Sequence, residues 1–298
     1  MPLEPIRTAQ GLLGLLDLPP LEDETRLRKR QALLEQAIGP DGPGRMNQGN
    51  PEIANHEISK ARCQAGLQGI MLQTEEQRRV CKGQPYMVPI YKDGNIESAK
   101  ACIDIFEFPN KPCELPFVWA SASQAKLVCQ ALGKRLCTQQ EWATACSADP
   151  AGGPASKFAY GDTLDLTVCN TNKSSHLHDK KPCDATSIAT AWKTCGTNTE
   201  PAGAFPRCRS RLGVFDQHGN VAEAMSRYDL EKQKTVSQLK GSAFFYVDVA
   251  RTDRTEPKRE NYPDFCAHDP RWHVQDLNRA WHVNYHLGTR CCLSTGAD

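Results

Sequence analysis

Fourteen cysteines, scattered from Cys63 to Cys292 in a 298-residue chain, constrain the fold more than any other feature of this sequence. Proteins of reducing compartments rarely carry so many. They serve either as disulfides in an oxidising compartment or as metal clusters. No two are spaced Cys-x-x-Cys: the closest are the adjacent Cys291 and Cys292, then Cys129, Cys137 and Cys146 at gaps of eight and nine. Zinc knuckles need tighter pairs. Disulfides are therefore expected, and with them an extracytoplasmic location, periplasmic or secreted. The N-terminus offers no clear signal peptide. Arg7 precedes a short apolar run, Gly11 to Leu16, but Asp17 and Pro19-Pro20 close it and no small-x-small cleavage site follows.

Charge excludes some partners. Lys and Arg number 36 against 35 Asp and Glu, so no global field draws in nucleic acid or an acidic membrane. No apolar run approaches the ~18 residues that a spanning helix needs, so no transmembrane segment is expected.

Residues 1–60 read as an appendage, an exposed helix and a linker. Glu22-Asp23-Glu24 gives way to Arg26-Leu27-Arg28-Lys29-Arg30, which suits a helix N-terminus and its body. Gly39-Pro40-Asp41-Gly42-Pro43-Gly44 then breaks the pattern. Residues 61–298 read as one compact α+β domain. Met87 to Tyr91 and Cys102 to Phe108 are expected as strands. Ser121-Ala122-Ser123-Gln124 is a capping box, and Ala125, Val128, Cys129 and Leu132 behind it form one apolar stripe. Thr138-Gln139-Gln140-Glu141 opens a second helix that buries Trp142, Ala145 and Cys146. Residues 147–215 are rich in Gly, Pro, Ser, Thr and Asn, an irregular stretch that needs staples.

Several of these segments together resemble the formylglycine-generating enzyme, or sulfatase-modifying factor, family. Cys102 to Asn110 is similar to its opening strand. Gly133-Lys134-Arg135-Leu136-Cys137-Thr138, running on to Glu141-Trp142, looks like its most specific signature. Pro201 to Pro206, Leu212 to Glu223, Lys240-Gly241-Ser242 and Leu287-Gly288-Thr289-Arg290-Cys291 match further motifs in family order. The resemblance implies an irregular, loop-rich fold related to C-type lectins, with little regular secondary structure. It implies structural calcium, which takes six to eight hard oxygens. One family site maps onto the side chains of Asp216 and Glu223 with the carbonyls of Gly219 and Val221. A second maps onto Asn170 and Asp184 with carbonyls at Thr171 and Thr186. A family disulfide maps onto Cys129 and Cys291. The family partner of Cys146 falls near Thr255, which leaves Cys137, Cys169 or Cys292 as partners for Cys146, or none.

The family's founding reaction oxidises a peptide cysteine with O2, using two thiolates that hold Cu(I) on the strand after Lys240-Gly241-Ser242. Here those positions fall near Phe245 and Ala250, and no cysteine occurs between Cys208 and Cys266. A phenyl ring and a methyl group cannot bind copper, so formylglycine generation by that route is not expected. The leading reading is a binding scaffold for a peptide or glycan, stabilised by disulfides and calcium. One alternative is a metal-dependent oxidoreductase with an altered site, using Cys266, His268 and His273 from the histidine-rich C-terminal stretch. The other is a formylglycine-generating oxidase with different ligands.

Overall fold

The computed structural model describes residues 8–16, 23–39, 42–171, 177–178, 181–184, 186–245, 265–270 and 274–296. In chain order its helices are α1 (Ala9–Leu15), α2 (Glu24–Ala37), α3 (Lys60–Leu67), α4 (Glu75–Val80), α5 (Ala122–Ala131), α6 (Gln139–Ser147) and α7 (Ile188–Thr194). Its strands are β1 (Met87–Pro89), β2 (Ala101–Asp104), β3 (Arg135–Leu136), β4 (Leu177–His178), β5 (Lys181–Pro182), β6 (Ala222–Asp229), β7 (Lys234–Lys240), β8 (Leu287–Gly288) and β9 (Cys291–Ser294). Among the described residues 26% are helical and 17% are in strands or bridges, and this is the α+β, loop-rich domain that the sequence implies.

The last strand segment organises the molecule. Residues 287–288 pair in parallel with β6, placing Leu287 beside Ala222 and Gly288 beside Glu223. Three residues later the chain enters a second sheet in the order β1-β2-β9-β3, all antiparallel. Successive side chains of a strand face opposite ways. Cys291 accordingly enters the core cluster containing α5, and Cys292 enters the cluster containing Trp142 and Phe215. Each is bridged on its own side, Cys291 to Cys129 and Cys292 to Cys137.

Both capping boxes form: Ser121 with Gln124 opens α5, and Thr138 with Glu141 opens α6. The buried faces carry Ala125, Val128 and Cys129 on α5, and Trp142, Ala145 and Cys146 on α6. Gly133 ends α5 at φ +69°, a conformation that side chains with a Cβ resist.

Three expectations change. The N-terminal segment is not simply an exposed helix and linker. Leu12, Leu34, Ala37 and Ile38 are buried in the α5 cluster, and Arg30 Nε donates to the Ala131 carbonyl at 3.2 Å. The second expected strand stops at Asp104. Beyond it Asn110, at φ +59°, turns back and its Oδ1 accepts the Phe106 N–H at 3.0 Å, which replaces a ladder partner. The irregular stretch also contains α7, capped by Ser187.

All fourteen cysteines are paired. The remaining bridges are Cys63–Cys113, Cys81–Cys102, Cys146–Cys266, Cys169–Cys208 and Cys183–Cys195. Cys146 thus pairs with none of Cys137, Cys169 and Cys292. Its partner lies 120 residues away and is brought near by the return of the chain after β7. Seven disulfides fit an extracytoplasmic protein. Among the described residues no helix is long and apolar enough to cross a membrane.

Candidate functional site

The loop joining Asp216 to β6 holds the densest buried chemistry. Glu223, second residue of β6, is fully buried and faces Arg290, which lies between β8 and β9 and is also fully buried. The guanidinium grips the carboxylate through Nε at 2.7 Å and Nη2 at 2.6 Å. Its remaining donors reach the carbonyls of Phe215 at 2.9 Å, Asp104 at 3.1 Å and Ile105 at 3.2 Å. Trp142 Nε1 adds a bond to Glu223 at 2.7 Å. One planar cation therefore ties together the two larger sheets, and α6 joins them through Glu223.

Two more buried carboxylates share this centre. Glu107 accepts the Asn220 Nδ2–H at 2.6 Å and the Val221 N–H at 3.1 Å. Asp216 accepts the Gly203 N–H at 2.6 Å. Burial pushes the Asp216 carboxyl up to about 7, with Glu223 adding to the rise against the Gly203 N–H and Arg290. Burial also holds Glu107 well above the usual carboxylate range, assisted by Asp216 and Glu223. Burial raises Asp104 as well, although Lys134 Nζ sits 2.6 Å from its carboxylate. The loop is wound tightly: Asp216, Gly219 and Asn220 all have positive φ. A Cβ on Gly219 would lie 2.3 Å from the Asn170 carbonyl, so only glycine allows that approach.

The sequence-derived residues are distributed as follows. Asp216, Gly219, Val221 and Glu223 share this loop and strand start. Asn170 is buried beside it, donating to Asn220 Oδ1 at 2.9 Å, and the neighbouring Thr171 donates to the Leu166 carbonyl at 3.0 Å. Asp184 is exposed and accepts the Thr186 N–H at 2.9 Å, a local turn that lowers its carboxyl below the ordinary range. Cys266 is bonded to Cys146 and so is not a free thiolate for a metal. His268 lies at the turn beyond it, its N–H donating to the Phe265 carbonyl at 2.9 Å and its own carbonyl accepting from Lys240. His273 lies outside the described residues.

Residues the sequence reading passed over include Glu107, placed only as part of a strand, and His218. His218 Nε2 lies 3.4 Å from Cys146 Sγ and 3.9 Å from Cys266 Sγ, and it accepts the Ala159 N–H at 2.9 Å. A histidine inside a motif that otherwise reads as a turn was the available signal.

A third feature is aromatic. Phe245 follows Lys240-Gly241-Ser242 and is buried. Its ring centroid lies 5.2 Å from Phe244, 6.3 Å from Tyr285 and 5.1 Å from His286. Trp119 and Trp192 complete the cluster, 5.4 Å apart. Elsewhere, an open groove of about 490 Å³ is lined by Ile70, Leu72, Gln73, Arg78, Pro85 and Tyr86.

No curated protein matches this chain. Among solved structures, CarF aligns at 16% identity over 60% of this chain and 68% of its own, with a TM-score of 0.34. The Major Tropism Determinant M1 variant aligns at 11% identity over 73% of this chain and 47% of its own, with a TM-score of 0.24. The family model for the sulfatase-modifying factor enzyme 1-like domain matches residues 52–270, well over half of the sequence. The chain therefore belongs to the sulfatase-modifying factor enzyme 1-like domain family.

Proposed function

We propose that this protein is a binding scaffold built on the sulfatase-modifying factor fold, secreted or periplasmic, that does not generate formylglycine. The observation that carries this reading is the environment of Phe245. It stands where the resemblance puts the first copper-binding thiolate, and it is packed among Phe244, Tyr285 and His286. Ala250, the second such position, lies outside the described residues. No cysteine is free, and a soft cation such as Cu(I) needs thiolate or comparable ligands. The oxidoreductase alternative gains no support from Cys266, whose sulfur is spent in a bridge.

Calcium at the Asp216–Glu223 loop belongs to this proposal. The fit rests on charge. Glu107, Asp216 and Glu223 are three buried carboxylates around the single guanidinium of Arg290. A divalent cation beside them would take the place of the proton that burial otherwise keeps on Glu107 and Asp216, and hard oxygens suit calcium. Asp216 and Glu223 would contribute carboxylate oxygens, and Gly219 and Val221 carbonyls. The role is structural: the ion fixes the loop that Gly219 presses against Asn170. The second set, Asn170, Thr171, Asp184 and Thr186, has no comparable buried charge. Its Asp184 is exposed.

The ligand proposed is a peptide or glycan, with the groove at Arg78 and Tyr86 as its seat. Arg78 supplies a cation at the rim and Tyr86 an amphipathic ring, the residue types that favour such contacts. The test uses purified protein, Cu(I), O2 and a cysteine-containing sulfatase peptide, followed by mass spectrometry. No conversion above the protein-free control is expected. Copper-dependent conversion overturns the scaffold reading. Titration calorimetry with Ca2+ should give binding that Asp216→Ala abolishes; unchanged binding in that variant removes calcium from this loop.

A further inference from the structure

Seven bridges staple this chain, and one of them has company. Among the described residues, the ligand atoms of Cys146, His218 and Cys266 form the group of His, Cys, Asp or Glu side chains lying within 4.8 Å of one another. The other six bridges have no such third donor there. We infer that, when the Cys146–Cys266 bond is reduced, these three residues form a site for a thiophilic d10 cation, Zn(II) or Cu(I).

The geometry supplies three reasons. First, the nitrogen that faces both sulfurs is the one with the lone pair. Nε2 accepts the Ala159 N–H at 2.9 Å, so it carries no proton, and it lies 3.4 Å and 3.9 Å from the two sulfurs. A metal entering between them replaces the Ala159 contact at that nitrogen. Second, the three donors come from elements fixed independently of the bridge. Cys146 sits on the buried face of α6, and Cys266 is held by its N–H to the Lys157 carbonyl at 2.9 Å. His218 is wedged edge-on against Phe158 and Tyr160, with centroids at 5.7 Å and 5.4 Å. Opening the S–S bond thus leaves the ligands assembled. Third, the buried Lys240 ammonium donates to the Cys266 carbonyl at 2.9 Å and so tethers the residue that carries one of the two sulfurs. Two thiolates and one imidazole select Zn(II) or Cu(I) over Ca(II) or Mg(II), and Zn(II) would retain one position for water.

The chemistry balances with a trialkylphosphine as reductant. The S–S bond breaks, the phosphine becomes its oxide by taking the oxygen of water, and the two protons of that water go to the two sulfurs. Binding of the cation then releases both protons. A cation that binds only the opened state also draws the equilibrium toward it by mass action.

The experiment adds phosphine in steps to the full chain, anaerobically, with Co(II) as the spectroscopic stand-in for Zn(II). A parallel arm supplies Cu(I) against a coloured chelator. Expected is one cation per chain once mass mapping finds the Cys146–Cys266 bridge open, with thiolate-to-cobalt charge-transfer absorption in the Co(II) arm. Unreduced protein should bind none. His218→Ala keeps the bridge, and in it the absorption should weaken and shift while both thiols still appear. Cys146→Ser combined with Cys266→Ser should lose it. The inference is overturned if neither cation binds protein in which the Cys146–Cys266 bridge is open, or if His218→Ala gives the same spectrum as the parent. None of these outcomes bears on calcium or on the Phe245 cluster.

Discussion

Replacing Arg290 with leucine tests the central claim about how this fold is held. The guanidinium makes two bonds to Glu223 and three to the carbonyls of Phe215, Asp104 and Ile105, all in the interior. Leucine fills much of the volume but leaves Glu223 with only the Trp142 donor among these partners. Removing one member of a buried pair costs about 3–5 kcal/mol, because the other charge stays buried. The carbonyls left without donors add to that, about 1 kcal/mol or more each where water cannot reach. A loss of at least about 4 kcal/mol is expected, equivalent to a midpoint drop of roughly 8–16 °C for a domain of this size. Equilibrium denaturation without reductant, followed by tryptophan fluorescence, measures it. The deficit should grow as pH rises, since acid protonates the stranded carboxylates. Arg290→Lys should fall between, having the charge but not the planar fork. Combining Arg290→Leu with Glu223→Leu should recover part of the loss, because an apolar pair carries no stranded charge. A single variant within about 1 kcal/mol of the parent would refute the argument. So would a double variant less stable than either single one.

Three further outcomes follow from other parts of the fold. Asp216 titrates near 7 when folded, against an ordinary 3.8, so the native state holds its proton more tightly than the unfolded chain. In calcium-free buffer its contribution should be complete below about pH 4 and fall away as pH rises through 7, by on the order of 4 kcal/mol. Calcium, which favours the ionised carboxylate, should flatten that fall in thermal scans. Replacing Cys129 and Cys291 with serine opens a loop with a sequence separation of 162, against 12 for Cys183 and Cys195. In the chain-entropy model the two losses are about 5 and about 3 kcal/mol; equal denaturation midpoints for the two variants would count against it. Ser121→Ala removes the α5 cap and should cost about 1 kcal/mol in the same assay, with no change in helix content at low temperature.

Local rules made much of the scaffold legible in advance. A capping box is a pattern of four residues, so α5 and α6 could be located from Ser121 and Thr138 without knowing what they touch. The apolar stripe of α5 follows from helical spacing alone. The second expected strand was too long because the Asn110 side chain, and not a neighbouring strand, takes the Phe106 N–H. The N-terminal helix looked exposed because its charged face dominates the sequence, while only Leu34 and Ala37 are buried within α2.

Residue identity and neighbours a few positions apart were enough to establish three things. Disulfides hold a loop-rich α+β domain, its two best helices start at Ser121 and Thr138, and no thiol follows Ser242 before Cys266. Long-range packing was needed for the rest: that Cys146 meets Cys266 beside His218, and that Glu107, Asp216 and Glu223 converge on Arg290. Those partners are separated by scores of residues and joined by loops with no periodicity. The crossing of the terminal strand from one sheet to the other brings Arg290 to its carboxylates, while the segment at Cys266, held to Lys157 and Lys240, meets α6 at Cys146.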